Sequence, residues 1–277
     1  MSESAITARP AVPAPFLLRR LHSLAGLVPI GAFVVMHLTT NASIVWGRMG
    51  EGGVATFQHE VDFIHSALFL LLIEIFGLWI PIGFHAVLGV YYATTGSSNV
   101  KQYGYGANWR YALQRLTGYF GFIFILYHVA TLRWGWTWLP FSSGFDAHMA
   151  ASTTAQAIRG GLDPSALGGF LIGGLYLVGV LALVYHLANG LWTAAITWGI
   201  TISAGAQRRW GFVCTAFGLG LASLGIMAFV GFVTLDIEAA RQTESQLHAE
   251  IVSTETPEIG AVAETTKPTP SALNDQR

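Results

Sequence analysis

Residues 168–200, GGFLIGGLYLVGVLALVYHLANGLWTAAITWGI, contain no Asp, Glu, Lys or Arg, and the uncharged run extends from Pro164 to Gln207. A helix needs about 20 mainly apolar residues to cross the hydrocarbon core of a bilayer. This stretch is longer than that, so the helix it predicts tilts or protrudes. A titratable ring, His186, sits deep inside it. The same two properties, an uncharged span and a histidine within it, recur along the chain.

Leu21–Gly47, Leu116–Leu132 and Trp210–Leu235 also lack charge, and Phe63–Val100 carries only Glu74. Five spans follow, at about 21–46, 66–95, 111–134, 168–200 and 211–235. Composition agrees: of 277 residues, 53% are hydrophobic and only 10% charged, against about 25% charged in a soluble domain. Mean hydropathy is +0.52. The expected class is an all-α integral membrane protein, with 16–235 as its membrane domain. A net charge of −1 leaves no basic excess for nucleic acid. One cysteine, Cys214, excludes an intrachain disulfide, a thiolate iron–sulfur cluster and a CxxCH haem attachment. The first run is too long for a cleaved signal peptide and lacks a small-residue cleavage site.

The flanks differ from the spans. Residues 1–15 are rich in Ala and Pro and are expected to be flexible. Residues 236–277 are acidic and rich in Ser and Thr. Their start can continue the fifth helix, and the remainder reads as a disordered external tail. Arg19, Arg20, Lys101, Arg110, Arg115, Arg208 and Arg209 gather on one side of the five spans, with only Arg48, Arg133 and Arg159 opposite. The positive-inside bias then puts the N-terminus in the cytoplasm and the C-terminus outside. The 134–166 loop begins with Trp134, Trp136 and Trp138, as an interfacial belt does.

Each of the first four spans carries one deep histidine: His37, His85, His128 and His186. A polar side chain inside hydrocarbon faces the bundle interior for a function by default. The four lie at similar distances from the starts of their spans, roughly 24–28 Å at a helical rise. Adjacent spans run in opposite directions. His37 and His128 therefore approach the outer face, and His85 and His186 the cytoplasmic face. Two histidine pairs at two depths suit two bis-histidine b haems, carried by a bundle of four spans beside a fifth. Two axial imidazoles leave no open iron site, so such haems carry electrons.

Gly89 and Gly190 each follow their histidine by four residues, in HAVLGVY and HLANGLW, on the same helix face. They read either as room for a macrocycle or as ordinary small-residue helix packing. Gly26 and Gly118, in LHSLAG and QRLTG, precede His37 and His128 by ten or eleven residues and carry the same two readings. His22, beside Arg19 and Arg20, is a candidate for a haem propionate or a quinone. His59, His65, His148 and His248 read as solvated.

At these residues the sequence resembles the cytochrome b subunit of succinate dehydrogenases, of the five-helix, di-haem, cytochrome b558 type linked to menaquinone. The matching stretches are FLLRRLHSLAGLVPIG (16–31), VMHLTTN (35–41), IEIFGLWIPIGFHAVLGVYYA (73–93), QYGYGANWRYALQRLTG (102–118), YHVATLR (127–133) and VYHLANGLWTAAITWGIT (184–201). The resemblance implies a multi-pass anchor in a bacterial cytoplasmic membrane, holding a flavoprotein subunit and an iron–sulfur subunit on the cytoplasmic side. It implies His37/His128 as ligands of an outer haem iron and His85/His186 of an inner one. It implies that electrons from succinate, oxidised in the flavoprotein, reach menaquinone through clusters and haems. The chain itself has no residues for succinate chemistry. The Ala/Pro-rich start, the long 134–166 loop and the acidic tail depart from shorter members.

Quinone reduction consumes protons, which makes Glu60 and Asp62, in HEVDFIH, and the intramembrane Glu74 candidate proton carriers. Glu60 and Asp62 also read as solvated loop carboxylates, and Glu74 as a neutral, hydrogen-bonded group. Arg19, Arg20 and Arg115 are candidate partners for inner-haem propionates and Arg133 for outer-haem propionates. Two other functions fit the histidine pattern. One is a di-haem anchor of a fumarate reductase, hydrogenase or formate dehydrogenase. The other is a transporter using His and Glu as a proton relay.

Overall fold

The computed structural model describes residues 14–47, 52–96, 106–161 and 166–255. Residues 1–13, Arg48, Lys101 and the tail from 256 lie outside the described residues. The described residues form helices joined by turns, with no strand.

The first span is α1 (Ala14–Ala25), a π-helical turn (Gly26–Ile30) and α2 (Gly31–Trp46). Pro29 lies in the π turn. It has no N–H and its ring crowds the preceding turn, and the wider turn relieves that crowding. A short helix, α3 (Gly53–His65), follows. The second span is α4 (Leu70–Glu74), another π turn (Ile75–Trp79) and α5 (Ile80–Thr95), with Pro81 just past that turn. Next come α6 (Gly106–Leu132), the third span, and α7 (Ala150–Ile158) within the 134–166 loop. The fourth span is α8 (Ala166–Thr197) and the fifth α9 (Ala204–Val233), followed by α10 (Ile237–Glu255). Among the described residues five helices are long and apolar enough to cross a membrane: Pro15–Trp46, Leu70–Thr95, Asn108–Leu132, Leu167–Thr197 and Ala204–Val233. The protein is an all-α integral membrane protein.

The first span begins earlier than expected, so Arg19 and Arg20 lie within it. The third and fifth also begin earlier and take in Arg110, Arg208 and Arg209, while Arg115 lies within the third span as expected. Long arginine side chains allow this, because they reach the interface from inside a helix end. Helix α9 packs against α2 and α8, α6 against α8, and α1 against α5. Small residues permit the close contacts: a Cβ at Gly225 would stand 2.5 Å from Val180 Cγ1, and one at Gly231 2.5 Å from Ile44 Cγ2.

The sequence predicts disorder through most of 236–277, and the structure differs over residues 237–255, which form α10. Asp236 starts that helix, its carboxylate accepting from the N–H groups of Glu238 and Ala239 at 3.1 Å each. Charge counting treats Glu244 as a solvated group, but its side chain is fully buried. Oε1 accepts from the N–H groups of Ala151 (2.7 Å) and Ser152 (3.1 Å) at the start of α7. A carboxylate there satisfies orphan helix donors and the helix dipole. In return, Arg159 at the end of α7 donates to the Phe232 carbonyl at 3.1 Å and to the Leu235 carbonyl, closing the end of α9. Gln58 ties α3 to the same loop, donating to Ala147 O (2.7 Å) and accepting from Ala150 N (3.1 Å). Helices α3, α7 and α10 thus cap one end of the bundle. The main buried cluster lies there, including Ile44, Phe57, Tyr176 and Phe232. The opposite end carries Arg19, Arg20, Arg110, Arg115, Arg208 and Arg209.

Candidate functional site

The four deep histidines meet in two pairs. His85 and His186 have ring centroids 6.1 Å apart at 84°, and His37 and His128 5.7 Å apart at 82°. An imidazole nitrogen binds a first-row metal at about 2.0–2.1 Å, so two rings on opposite sides of one ion have centroids roughly 6 Å apart. Both separations are of that order, and imidazole pairs suit haem iron. Among the described residues no group of three or more His, Cys, Asp or Glu gathers as a metal site.

The pair nearer the arginine-rich end, His85 and His186, is built with approximate internal symmetry. His85 Nδ1 lies 2.9 Å from the carbonyl oxygen of His22, and His186 Nδ1 lies 3.1 Å from that of Gln114. A carbonyl only accepts, so each Nδ1 carries the proton and each Nε2 keeps its lone pair for a metal. The carbonyls stand one turn before Gly26 and Gly118. A Cβ at Gly26 would fall 2.5 Å from His85 Cε1, and one at Gly118 3.0 Å from His186 Cε1. These glycines therefore make room for the rings of His85 and His186, not for the histidines that follow them on their own spans. Gly89 and Gly190 play the reciprocal part, beside His22 Nε2 (3.4 Å) and Gln114 Nε2 (3.6 Å). The signal lay in the sequence as a repeated four-residue step: His22–Gly26, Gln114–Gly118, His85–Gly89 and His186–Gly190.

All four glycines line a cavity of about 370 Å³ with His22, His85, His186 and Arg115. His22 stacks on His85 at 4.1 Å, meets Tyr92 edge-on at 5.7 Å, and holds Nε2 buried without a partner. Arg19 lies over Tyr92 at 5.3 Å. Arg20 lies over Phe16 (4.2 Å) and Trp198 (5.1 Å), its Nε buried and unpartnered. Arg115 donates to the Gly96 carbonyl at 2.9 Å, holding the end of α5, while still lining the cavity.

The pair nearer the cap, His37 and His128, is enclosed by aromatic rings. Phe33 is 5.2 Å from His37, while Phe124 and Tyr176 are 5.7 and 5.8 Å from His128. Phe33 and Phe124 each stand four residues before their histidine, on the same helix face, a repeat the sequence reading missed. Asn41 donates to the His37 carbonyl at 2.8 Å, and its amide lies 3.4 Å from His37 Nε2. His128 Nδ1 is buried without a partner.

Arg133 and Glu74 are expected to act separately, one on a propionate and one on a proton. The structure pairs them instead. Arg133 Nε donates to Glu74 Oε1 at 2.9 Å and Nη2 to Oε2 at 2.8 Å, a bidentate fork that uses the planar match of the two groups. Sequence reading could not foresee it, because the residues are 59 positions apart on different spans. Trp79, Trp134, Trp136 and Trp138 follow one another at 5.3–5.6 Å between ring centroids, the first two contacts tilted and the last stacked, beginning just after that pair. Asp62 accepts from Gln58 at 2.9 Å, whereas Glu60 Oε2 is buried without a partner. His65 Nδ1 donates to its own helix at Val61 O, His59 is exposed, and His148 and His248 place their rings 4.8 Å apart across the cap.

No family model matches the chain. It is 36% identical to the succinate dehydrogenase cytochrome b558 subunit of Bacillus subtilis (strain 168) over 218 residues, which cover 79% of this chain and 97% of that protein. The aligned length takes in most of the membrane domain. With five apolar spans and paired deep histidines, this chain belongs to the succinate dehydrogenase cytochrome b558 subunit family.

Proposed function

We propose that this protein is the membrane anchor of a succinate dehydrogenase and carries electrons between an iron–sulfur subunit and menaquinone, with the flavoprotein subunit performing the succinate chemistry. The observation that carries the reading is the facing of two histidine pairs across four spans. His85 and His186 hold one b haem, and His37 and His128 a second. When bound, each haem supplies reversible one-electron redox chemistry.

The chain's own residues do the rest. The carbonyls of His22 and Gln114 orient the rings of His85 and His186 and keep both Nε2 atoms free of protons. Phe33, Phe124 and Tyr176 keep water from the other pair. Arg20 and His22, each with a buried nitrogen lacking a partner, are placed to receive carboxylates of a bound cofactor. At the cap end Glu60 is the better proton carrier. Its Oε2 is unpartnered, whereas Asp62 is held by Gln58 and Glu74 by Arg133. The arginine-rich end faces the cytoplasm and the soluble subunits, and the cap faces outward.

A pyridine haemochrome assay on the purified complex tests this. Two non-covalent b haems per chain are expected, reducible by succinate. One haem, haem surviving acid–acetone extraction, or a colourless protein would overturn it.

A further inference from the structure

The acidic residues are distributed with a bias that leaves the arginines unmatched. Among the described residues, every Asp and Glu lies in α3, at Glu74 at the cap end of its span, at Asp146 in the 134–166 loop, or from Asp236 onward. Among the described residues the arginine-rich end thus has no carboxylate. Arg115 lines the histidine cavity, and Arg19 lies over Tyr92, one of its walls. Arg110 and Arg208 line a second pocket of about 380 Å³, between the start of α6, the end of α8 and the start of α9. It shares no lining residue with the histidine cavity. Among the described residues neither arginine is in an ion pair.

The pocket sits at the depth of lipid headgroups. Arg110 is two residues inside the span Asn108–Leu132, Arg208 four residues inside Ala204–Val233, and Trp192 five residues before the end of Leu167–Thr197. Spans this long reach beyond the hydrocarbon core into the interface. The Arg110 guanidinium lies over the Trp192 ring at 4.3 Å, which preorganises the charge. The Trp192 Nε1 donates to the Gln207 carbonyl at 3.0 Å, and Trp210 Nε1 to the Leu191 carbonyl at 3.3 Å, so the two helix ends are stapled around the pocket.

The lining also has a direction. Ala204, Gln207, Arg208, Gly211, Phe212 and Thr215 follow one face of α9 from its polar start into the membrane. Phe212 is 71% exposed, and Leu219 and Ile226 continue that exposed face at seven-residue steps. A small anion would use only the arginine end. A molecule with a phosphate at one end and acyl chains at the other uses the whole face. We infer that the Arg110–Arg208 pocket binds the phosphate of an anionic phospholipid whose acyl chains lie along α9. Phosphate suits paired guanidinium groups, and basic pockets between spans recognise such headgroups.

The test uses the full chain, purified with its soluble partners, washed exhaustively in detergent and weighed by native mass spectrometry. It is then reloaded with phosphatidylglycerol, phosphatidylcholine or inorganic phosphate. About one phosphatidylglycerol per chain is expected to survive washing, with phosphatidylcholine removed and millimolar phosphate a poor competitor. Arg110→Gln and Arg208→Gln should each weaken retention about fivefold, and the double variant about 25-fold. Arg209→Gln, outside the lining, should leave it unchanged, and Arg110→Lys should restore most of it. Haem content and gel filtration report on folding. Equal retention of phosphatidylcholine, an undiminished double variant, or an equal loss in Arg209→Gln would overturn the assignment. Displacement by phosphate at lipid-like affinity would make it a small-anion site. Loss of the soluble subunits with lipid retention intact would make it a protein-docking surface.

Discussion

The two ends of the bundle hold histidine pairs of similar spacing in unlike surroundings. Around His85 and His186, Gly26 and Gly118 stand directly against rings that backbone carbonyls orient, and a cavity of about 370 Å³ with apolar and tyrosine walls remains. Around His37 and His128 the walls are Phe33, Phe124 and Tyr176, and a cap of three short helices closes that end. Ring orientation rests on main-chain geometry at the first end and on packing at the second. A backbone carbonyl cannot be removed by mutating its own side chain, whereas an aromatic wall can. The arginine-rich end should therefore be sensitive to steric intrusion, and the cap end to loss of volume and of its capping bonds.

The largest expected effect separates the pairs. His85→Leu or His186→Leu should abolish one haem signal in low-temperature spectra and stop succinate-to-menaquinone transfer. His37→Leu or His128→Leu should remove the other signal and leave the first reducible by succinate. Succinate oxidation with a soluble acceptor should persist where the partner subunits still dock. If His85 grouped spectrally with His37, the pairing would be wrong.

Next in size is intrusion. Gly26→Ala puts a methyl 2.5 Å from His85 Cε1 and Gly118→Ala one 3.0 Å from His186 Cε1. Overpacking of this kind costs about 1–3 kcal/mol. Haem titration should show a severalfold loss for the His85/His186 pair, greater for Gly26→Ala, with the other pair unchanged. Equal loss from both pairs would mean that the bundle, not the ring, had moved.

At the cap, Glu244→Ala leaves two buried N–H groups without an acceptor, at a cost of about 1–3 kcal/mol. Protease cleavage within α10 should accelerate accordingly, with both haem signals intact. Burial raises the Glu244 carboxyl above its ordinary value, against the pull of the Ser152 and Ala151 hydrogen bonds and of Arg241. A raised folded value means that this group's contribution to docking is fullest below the unfolded carboxyl pKa, about 4.3. It fades as pH rises through the raised value. Protection of α10 in hydrogen exchange should therefore increase on mild acidification, and Glu244→Gln should flatten that dependence.

The smallest effect is at the Glu74–Arg133 fork. The Arg133 side chain is 45% exposed, so solvent screens the pair. A double-mutant cycle with Glu74→Gln and Arg133→Gln should give a coupling of about 0.2–1 kcal/mol. A coupling several times larger would show that the fork lies in a drier setting than its exposure implies.

The spans and the histidine pairing were legible in the sequence because both depend on position along a helix. Hydropathy marks a span without reference to any neighbour, and alternating direction sets depth from residue count alone. The four-residue step ending in Gly26 and Gly118 was in the sequence, but which ring each glycine serves was not legible, since that ring is on another span. Nor were the Glu74–Arg133 fork and the capping by Glu244, which join residues far apart in the chain. Composition let the start of 236–277 continue the fifth helix but read the rest, most of α10 included, as disordered, because a charge count is blind to what a carboxylate touches. The sequence by itself determined the membrane class, the five spans and which histidines share a depth, all local or periodic properties. Only the tertiary structure decided ring orientation, charge pairing and the capped end. Those depend on distances between helices, and no spacing within a single helix encodes them.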